Sequence, residues 1–286
     1  MLDDENFQRL SEIARRIRFD VVKMTYHAGS GHPGGSMSIA EILTILYFKH
    51  LRHRPSEPHW ADRDRVVLSK GHACPALYAV LAEAGYYPRE EMWTLRKFGS
   101  RLQGHPAYDK GLPGIEVSTG SLGQGLSIAV GMALAFKHLD HSEKRVYAIV
   151  GDGEIEEGQI WEAFMSAGHY HLDNLVAIID NNDLQIDGFV PDVMNVHPIV
   201  DKVKSFNWHP IVAEGHDLNS LDDAFERAKQ VKGMPVAIIA KTVKGKGISY
   251  MENVAGWHGK APNRELAIKA VEELGFPADA LYNDIE

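Results

Sequence analysis

Apolar residues recur at three- and four-residue steps through positions 6–27, where Phe7, Leu10, Ile13, Ala14, Ile17, Val21 and Met24 fall on one helical face. That spacing predicts an amphipathic helix. The glycines and proline of HAGSGHPGGS stop it, and Ser36 is placed to cap a second apolar helix over 39–48. From residue 65 the pattern changes to short, nearly continuous apolar runs at 65–69 (RVVLS), 145–150 (RVYAIV), 175–180 (LVAIID) and 236–242 (VAIIAKT). Helical spacing returns at about 75–84, 122–139, 157–170 and 217–232. Continuous apolar strands alternating with helices predict an α/β fold, mainly a parallel sheet with helices on both faces. No repeat or Pro/Ser linker interrupts the pattern, so 1–286 reads as a single domain. Two stretches, 98–120 and 245–262, lack periodicity and are long enough to be functional loops.

All four apolar runs end in small or polar residues: Lys70-Gly71-His72, Gly151-Asp152-Gly153, Asn181-Asn182 and Val243-Lys244-Gly245-Lys246-Gly247. Open parallel sheets bind ligands beyond the carboxyl ends of their strands. Asp152 and Asn182 stand 30 positions apart, about one βαβ unit. A carboxylate and an amide oxygen are hard ligands suited to Mg²⁺ or Ca²⁺, and magnesium commonly completes its shell with phosphate oxygens. The N–H of Gly153 and the following helix start suit that phosphate. A metal-bound diphosphate is one reading; a GDG turn and an Asn helix cap are the other. Gly120-Ser121-Leu122-Gly123-Gln124-Gly125 precedes a small-residue helix, where glycines permit either close ligand approach or tight helix packing. It lacks the lysine and spacing of a P-loop.

His32, His72 and His105 each follow a glycine, and His258 lies in AGWHGK. Imidazoles in such loops can shuttle protons or donate to hydroxyls and phosphates near neutral pH. None of these four falls in an HxH or HxxxH pair, which argues against zinc.

Composition narrows the classes further. The 286 residues carry a net charge of −9, which argues against a nucleic-acid partner. A local site can still take an anion against that global sign. Cys74 is the single cysteine, so no intrachain disulfide forms and a reducing compartment is expected. The first 20 residues lack an apolar signal core and no run of 18 apolar residues occurs, so we expect a cytoplasmic protein with no membrane span.

GDGEIEEGQIWEA followed by NLVAIIDNNDLQIDG resembles the thiamine diphosphate signature. SGHPGGS, SKGHACPALYA, STGSLGQGLSIAVG and WHGKAP are similar to the transketolase family, from about residue 10 to 265. The 2-oxoacid dehydrogenases share GDG and NN but not the histidine loops, and deoxyxylulose-phosphate synthase usually lacks GHACPALYA. The resemblance implies a thiamin diphosphate-binding fold of the diphosphate (PP) type, with thiamine diphosphate and Mg²⁺, or Ca²⁺, as cofactors. It implies that Asp152, Asn182 and the carbonyl of Leu184 hold the metal, and that Gly153 and His72 contact the diphosphate. Gly120 and Leu122 would line the aminopyrimidine and diphosphate approach, and Ile186 would touch the thiazolium. Glu157 would link two cofactor sites across a subunit interface. His32, His105 and His258 would surround the reactive carbon.

The implied reaction moves a two-carbon ketol unit from a ketose phosphate to an aldose phosphate. Family members are usually far longer, because a pyrimidine-binding domain follows and supplies the activating glutamate. We therefore expect the N-terminal subunit of a split transketolase, inactive alone and completed by a C-terminal subunit as an α₂β₂ assembly. Ser121 replaces a frequent proline, Pro-Ala follows His105, and Lys244 and Lys246 occupy a shortened loop. These departures leave the donor and acceptor sugars open. The two lysines either face a phosphate or form a solvated basic loop. A split enzyme for a modified or sulfonated ketose, and a non-catalytic diphosphate-binding module, are the alternatives.

Overall fold

The computed structural model describes residues 2–283. Helix α1, Asp4–Ala28, starts on Asp3, whose carboxylate accepts from the Asn6 N–H at 2.8 Å. It ends on Gly29 in the left-handed region, as the apolar spacing and the glycine predict. The second helix departs from expectation. Ser36 is not a cap but lies inside α2, Pro33–Met37, with its hydroxyl donating to His32 O at 2.8 Å. Pro33 starts that helix, because its fixed φ and missing N–H suit a first turn. The apolar stretch then resumes as α3, Ala40–Ile45, and loosens into a π turn at Leu46–His50.

Strands β1 (Arg65–Leu68), β2 (Val146–Gly151) and β3 (Leu175–Asn181) appear where the continuous runs place them. A small hairpin of β4 (Leu184–Gln185) and β5 (Gly188–Phe189) follows. Strand β6 (His209–Glu214) was not expected, and β7 (Val236–Lys241) was. The main sheet is wholly parallel in the order β1-β2-β3-β7-β6. As an edge strand, β6 alternates buried and exposed positions and lacks the continuous apolar run that marks its neighbours.

Alternate strand residues feed two cores. Tyr147, Ile149, Val176, Ile178 and Ile238 join α1, α3, α4 (Cys74–Glu83) and α9 (Leu218–Gln230). Ala148, Val150, Ala177 and Ile179 join α5 (Gln124–Leu134), α6 (Gly158–His169) and α8 (Ile199–Ser205). This two-sided burial explains why the strands read as unbroken apolar runs. Short α7 (Val190–Val193) follows the hairpin, and α10 (Arg264–Glu273), capped by Asn263, packs on α1. Among the described residues no helix is long and apolar enough to cross a membrane.

Candidate active site

The parallel register brings the strand tips level. Gly151 pairs with Asp180 and Asn181 with Lys241, so the ends of β2, β3 and β7 form one floor. Asp152 is buried there. One oxygen accepts from the Gly153 N–H at 2.8 Å and the other from the Asp183 N–H. Asp183 sits at φ 56, and this tight turn sends the chain back over the floor. Asn182, also buried, accepts from the Leu184 N–H at 3.1 Å and donates through Nδ2 to Asp180 at 3.0 Å. The carbonyl of Leu184 accepts from Lys244 Nζ at 2.6 Å. The three expected metal ligands thus meet in the turn at 182–184 and the loop it touches.

Lys244 departs from one of its two open readings. It is 4% exposed, so it does not belong to a solvated basic loop. Lys246 does face solvent, paired with Glu252 at 3.3 Å. Burial, with the charge of Asp180 behind it, pushes Asp152 up to about 7. Burial, with Lys70 nearby, pulls Lys244 down to about 8. Here a cation already sits on a carbonyl beside an under-compensated carboxylate. A divalent ion fits that donor set, because it supplies the charge that a desolvated carboxylate requires.

The histidines gather above this floor. The His32 ring lies 5.4 Å from His72, 5.9 Å from His105 and 5.5 Å from His258, and His72 lies 4.8 Å from His258. Four loops far apart in sequence converge to make that cluster. Burial, then Arg96, lowers His32 to about 4, and burial, then Lys244, lowers His258 to about 3. Burial likewise lowers His72 and His105. The four imidazoles are therefore neutral at neutral pH. His258 Nδ1 is buried with no hydrogen-bond partner among the described residues.

Residues 9–283 match the family described as transketolase, thiamine diphosphate binding domain. The chain belongs to the transketolase family. It is 44% identical over 272 residues to the transketolase of Rattus norvegicus, covering 95% of this chain and 43% of that protein. It is 46% identical over 246 residues to the 6-deoxy-6-sulfo-D-fructose transketolase subunit SqwG of Clostridium sp. (strain MSTE9), covering 86% of this chain and 89% of that subunit. The crystal structure of transketolase from Campylobacter jejuni superposes with a TM-score of 0.89 at 36% identity, over 95% of this chain and 43% of that one. The chain thus spans less than half the length of full-length transketolases and most of the length of a transketolase subunit.

In this transketolase-family chain the glycine loop closes one side of the cleft. Gly120 has φ 148, and a Cβ there would meet the His105 ring at 3.1 Å. Only glycine lets the two approach so closely. Leu122 is half-buried beside it. The Gly153 N–H, expected to face phosphate, is given to Asp152. Glu157 and Ile186 lie apart from the histidine cluster: Glu157 is exposed at the start of α6, and Ile186 is 63% exposed at the hairpin tip.

Four residues around the site were given no role from the sequence. Buried Glu154 accepts from Ser69 Oγ, from the Gly123 N–H at 2.9 Å and from the Gly151 N–H at 3.0 Å, tying three loops together. Arg96 donates to His32 Nδ1 at 3.3 Å, which places the His32 proton on Nε2. Lys70 and Asp180 form a buried ion pair beneath the floor. Of these, only Lys70 and Asp180 had a legible signal, as charges ending apolar strands.

Proposed function

We propose that this chain is the diphosphate-binding subunit of a thiamine diphosphate- and magnesium-dependent transketolase completed by a second polypeptide. One observation carries the reading: a buried oxygen-donor floor at Asp152, Asn182 and Leu184 lies beneath four neutral histidines. Asp152, Asn182 and the Leu184 carbonyl would hold Mg²⁺. Gly153 and His72 would meet the diphosphate, with Gly120 and Leu122 along its approach. The cofactor, when bound, supplies a nucleophilic carbon and an electron sink for the two-carbon unit. His32, His105 and His258 move protons on the sugar hydroxyls, and their neutral state lets each accept one. Arg96 holds His32 to one tautomer.

The partner reading rests on similarity to a named subunit and on the surface. The match to a protein named as a transketolase subunit covers 89% of it, whereas full-length relatives are matched over 43%. Just after the 182–184 turn, Ile186, Phe189, Val193 and Met194 are exposed, and Met194 lines a cavity of about 410 Å³ together with Ile155, Glu156, Trp161, Lys202 and Phe206. The partner covers this stretch and supplies the missing pyrimidine-binding face, with Glu157 at the junction, in an α₂β₂ assembly. A lone buried cysteine fits a cytoplasmic enzyme.

The test is reconstitution. Neither polypeptide alone should transfer a ketol unit from xylulose 5-phosphate to ribose 5-phosphate, and the mixture should, at the mass of an α₂β₂ complex. Turnover by this chain alone would overturn the subunit assignment. His105→Ala should lower turnover of the complex and leave cofactor affinity nearly unchanged; a variant that alters neither would favour a non-catalytic binding module. The similarity to a 6-deoxy-6-sulfo-D-fructose transketolase subunit supports a second donor reading. Assaying that sulfonated ketose beside the sugar phosphates separates the two.

A further inference from the structure

Asp180 ends β3, is fully buried, and is outside the proposed ligand set. Its Oδ2 accepts from Ser38 Oγ at 2.6 Å, from Lys70 Nζ and from Asn182 Nδ2 at 3.0 Å, and its Oδ1 accepts from Thr242 Oγ1. Ser38 joins α2 to α3, Lys70 follows β1, and Thr242 follows β7. One carboxylate therefore fastens four separate pieces of the floor.

Two of those bonds have directional consequences. An ionised carboxylate only accepts hydrogen bonds, whereas an amide presents a donor at one end and an acceptor at the other. Asn182 must turn its NH₂ toward Asp180, so its Oδ1 faces away, where it now receives the Leu184 N–H at 3.1 Å. That oxygen is the atom a hard cation requires. Lys70 is held just as firmly, since its ammonium also donates to Gly35 O at 3.0 Å. With Lys70 anchored below, Lys244 is the cation at the Leu184 carbonyl.

Resting on the metal–diphosphate reading above, we infer that Asp180 is a positioning residue for the metal. It sets the amide of Asn182 so that its oxygen is the end left to hold the ion, and it keeps Lys70 anchored on Asp180 and Gly35 O. Partners that orient a metal's ligands in this way typically carry about 10–100-fold of metal affinity.

The experiment titrates Mg²⁺ into the full chain at saturating thiamine diphosphate, read by calorimetry. Asp180→Asn alone leaves Lys70 buried without a counter-charge and risks misfolding, so it is paired with the double variant Asp180→Asn/Lys70→Met, which removes both charges. The double variant should melt near wild type yet bind Mg²⁺ about 10–100-fold more weakly. Excess Mg²⁺ should restore cofactor uptake, an effect that a merely structural defect would not produce. Ser38→Ala, which deletes one donor to Asp180 but spares the Asn182 bond, should keep wild-type Mg²⁺ affinity. A folded double variant with unchanged Mg²⁺ affinity overturns the inference. So does a crystal structure of the Mg²⁺-loaded wild type with Asn182 Nδ2 turned off Asp180, whatever the variants do. A wild-type chain that takes up neither Mg²⁺ nor cofactor, alone or in the reconstituted complex, overturns the proposed function itself and this inference with it.

Discussion

Glu154 holds three site loops on one carboxylate, so its replacement by an amide is informative. In Glu154→Gln one end of the side chain becomes a donor and must face Gly151 N–H or the Ser69 and Gly123 donors. A buried donor set against a donor costs about 1–3 kcal/mol. Denaturant unfolding should show a loss of that size, and an unchanged midpoint would remove Glu154 from its bridging role. The histidines give a second expectation at this scale. Burial holds His32 near 4 and His258 near 3, below their ordinary 6.5. Between those values the unfolded chain binds more protons than the folded one, so stability is fully present above about 6.5 and falls as pH drops toward 4. Asp152, raised to about 7, works in the opposite sense over its own range. Thermal melts across this range should therefore slope less steeply in His258→Gln than in wild type. Residue identities such as His32, His72, His105 and His258 were legible because each sits in a glycine-bracketed loop. Glu154 and Arg96 were not, because a side chain that bonds backbone or another side chain across 31 or 64 positions leaves no periodic trace.

Elements were legible in proportion to their burial. The strands β1, β2, β3 and β7 are buried on both faces and read as unbroken apolar runs, whereas β6 at the sheet edge alternates and was missed. The second helix was misplaced because serine is a strong cap signal, yet the proline three positions earlier wins by fixing the first turn. The glycine loop before α5 was read as either a ligand approach or a packing device, and its close contacts are those of packing. Gly123 caps α5 at φ 85, and a Cβ there would lie 3.2 Å from Glu157 Cβ. Gly123→Ala should therefore cost about 1–2 kcal/mol from left-handed strain. It should also shift Glu157, where α6 begins. The check is paired: a denaturation midpoint for the strain, and complex formation for the displaced Glu157. A variant as stable as wild type would mean that the loop relaxes without needing glycine.

On the scale of the whole molecule the incomplete surface matters most. Phe189 and Met194 are 48% and 60% exposed, and with Ile186 and Val193 they place four exposed apolar side chains in the short stretch 186–194 that follows the 182–184 turn. Soluble proteins rarely leave such a group uncovered unless a partner uses it. Exposed Asp187 and Asp192 interleave with these side chains, so the contact should also carry a modest salt dependence. Buried apolar anchors commonly carry more than about 1 kcal/mol each in an interface. Phe189→Asp together with Met194→Asp should therefore weaken binding of the proposed C-terminal polypeptide by at least about tenfold, since two such losses exceed 1.4 kcal/mol. Neither side chain lies in the two cores, so the isolated chain should keep its melting temperature. Titration of the labelled partner, at two ionic strengths, reads both effects at once. If affinity holds in the double variant, the partner docks elsewhere and this stretch serves another contact. If affinity falls but recovers in low salt, charge rather than apolar burial dominates the interface.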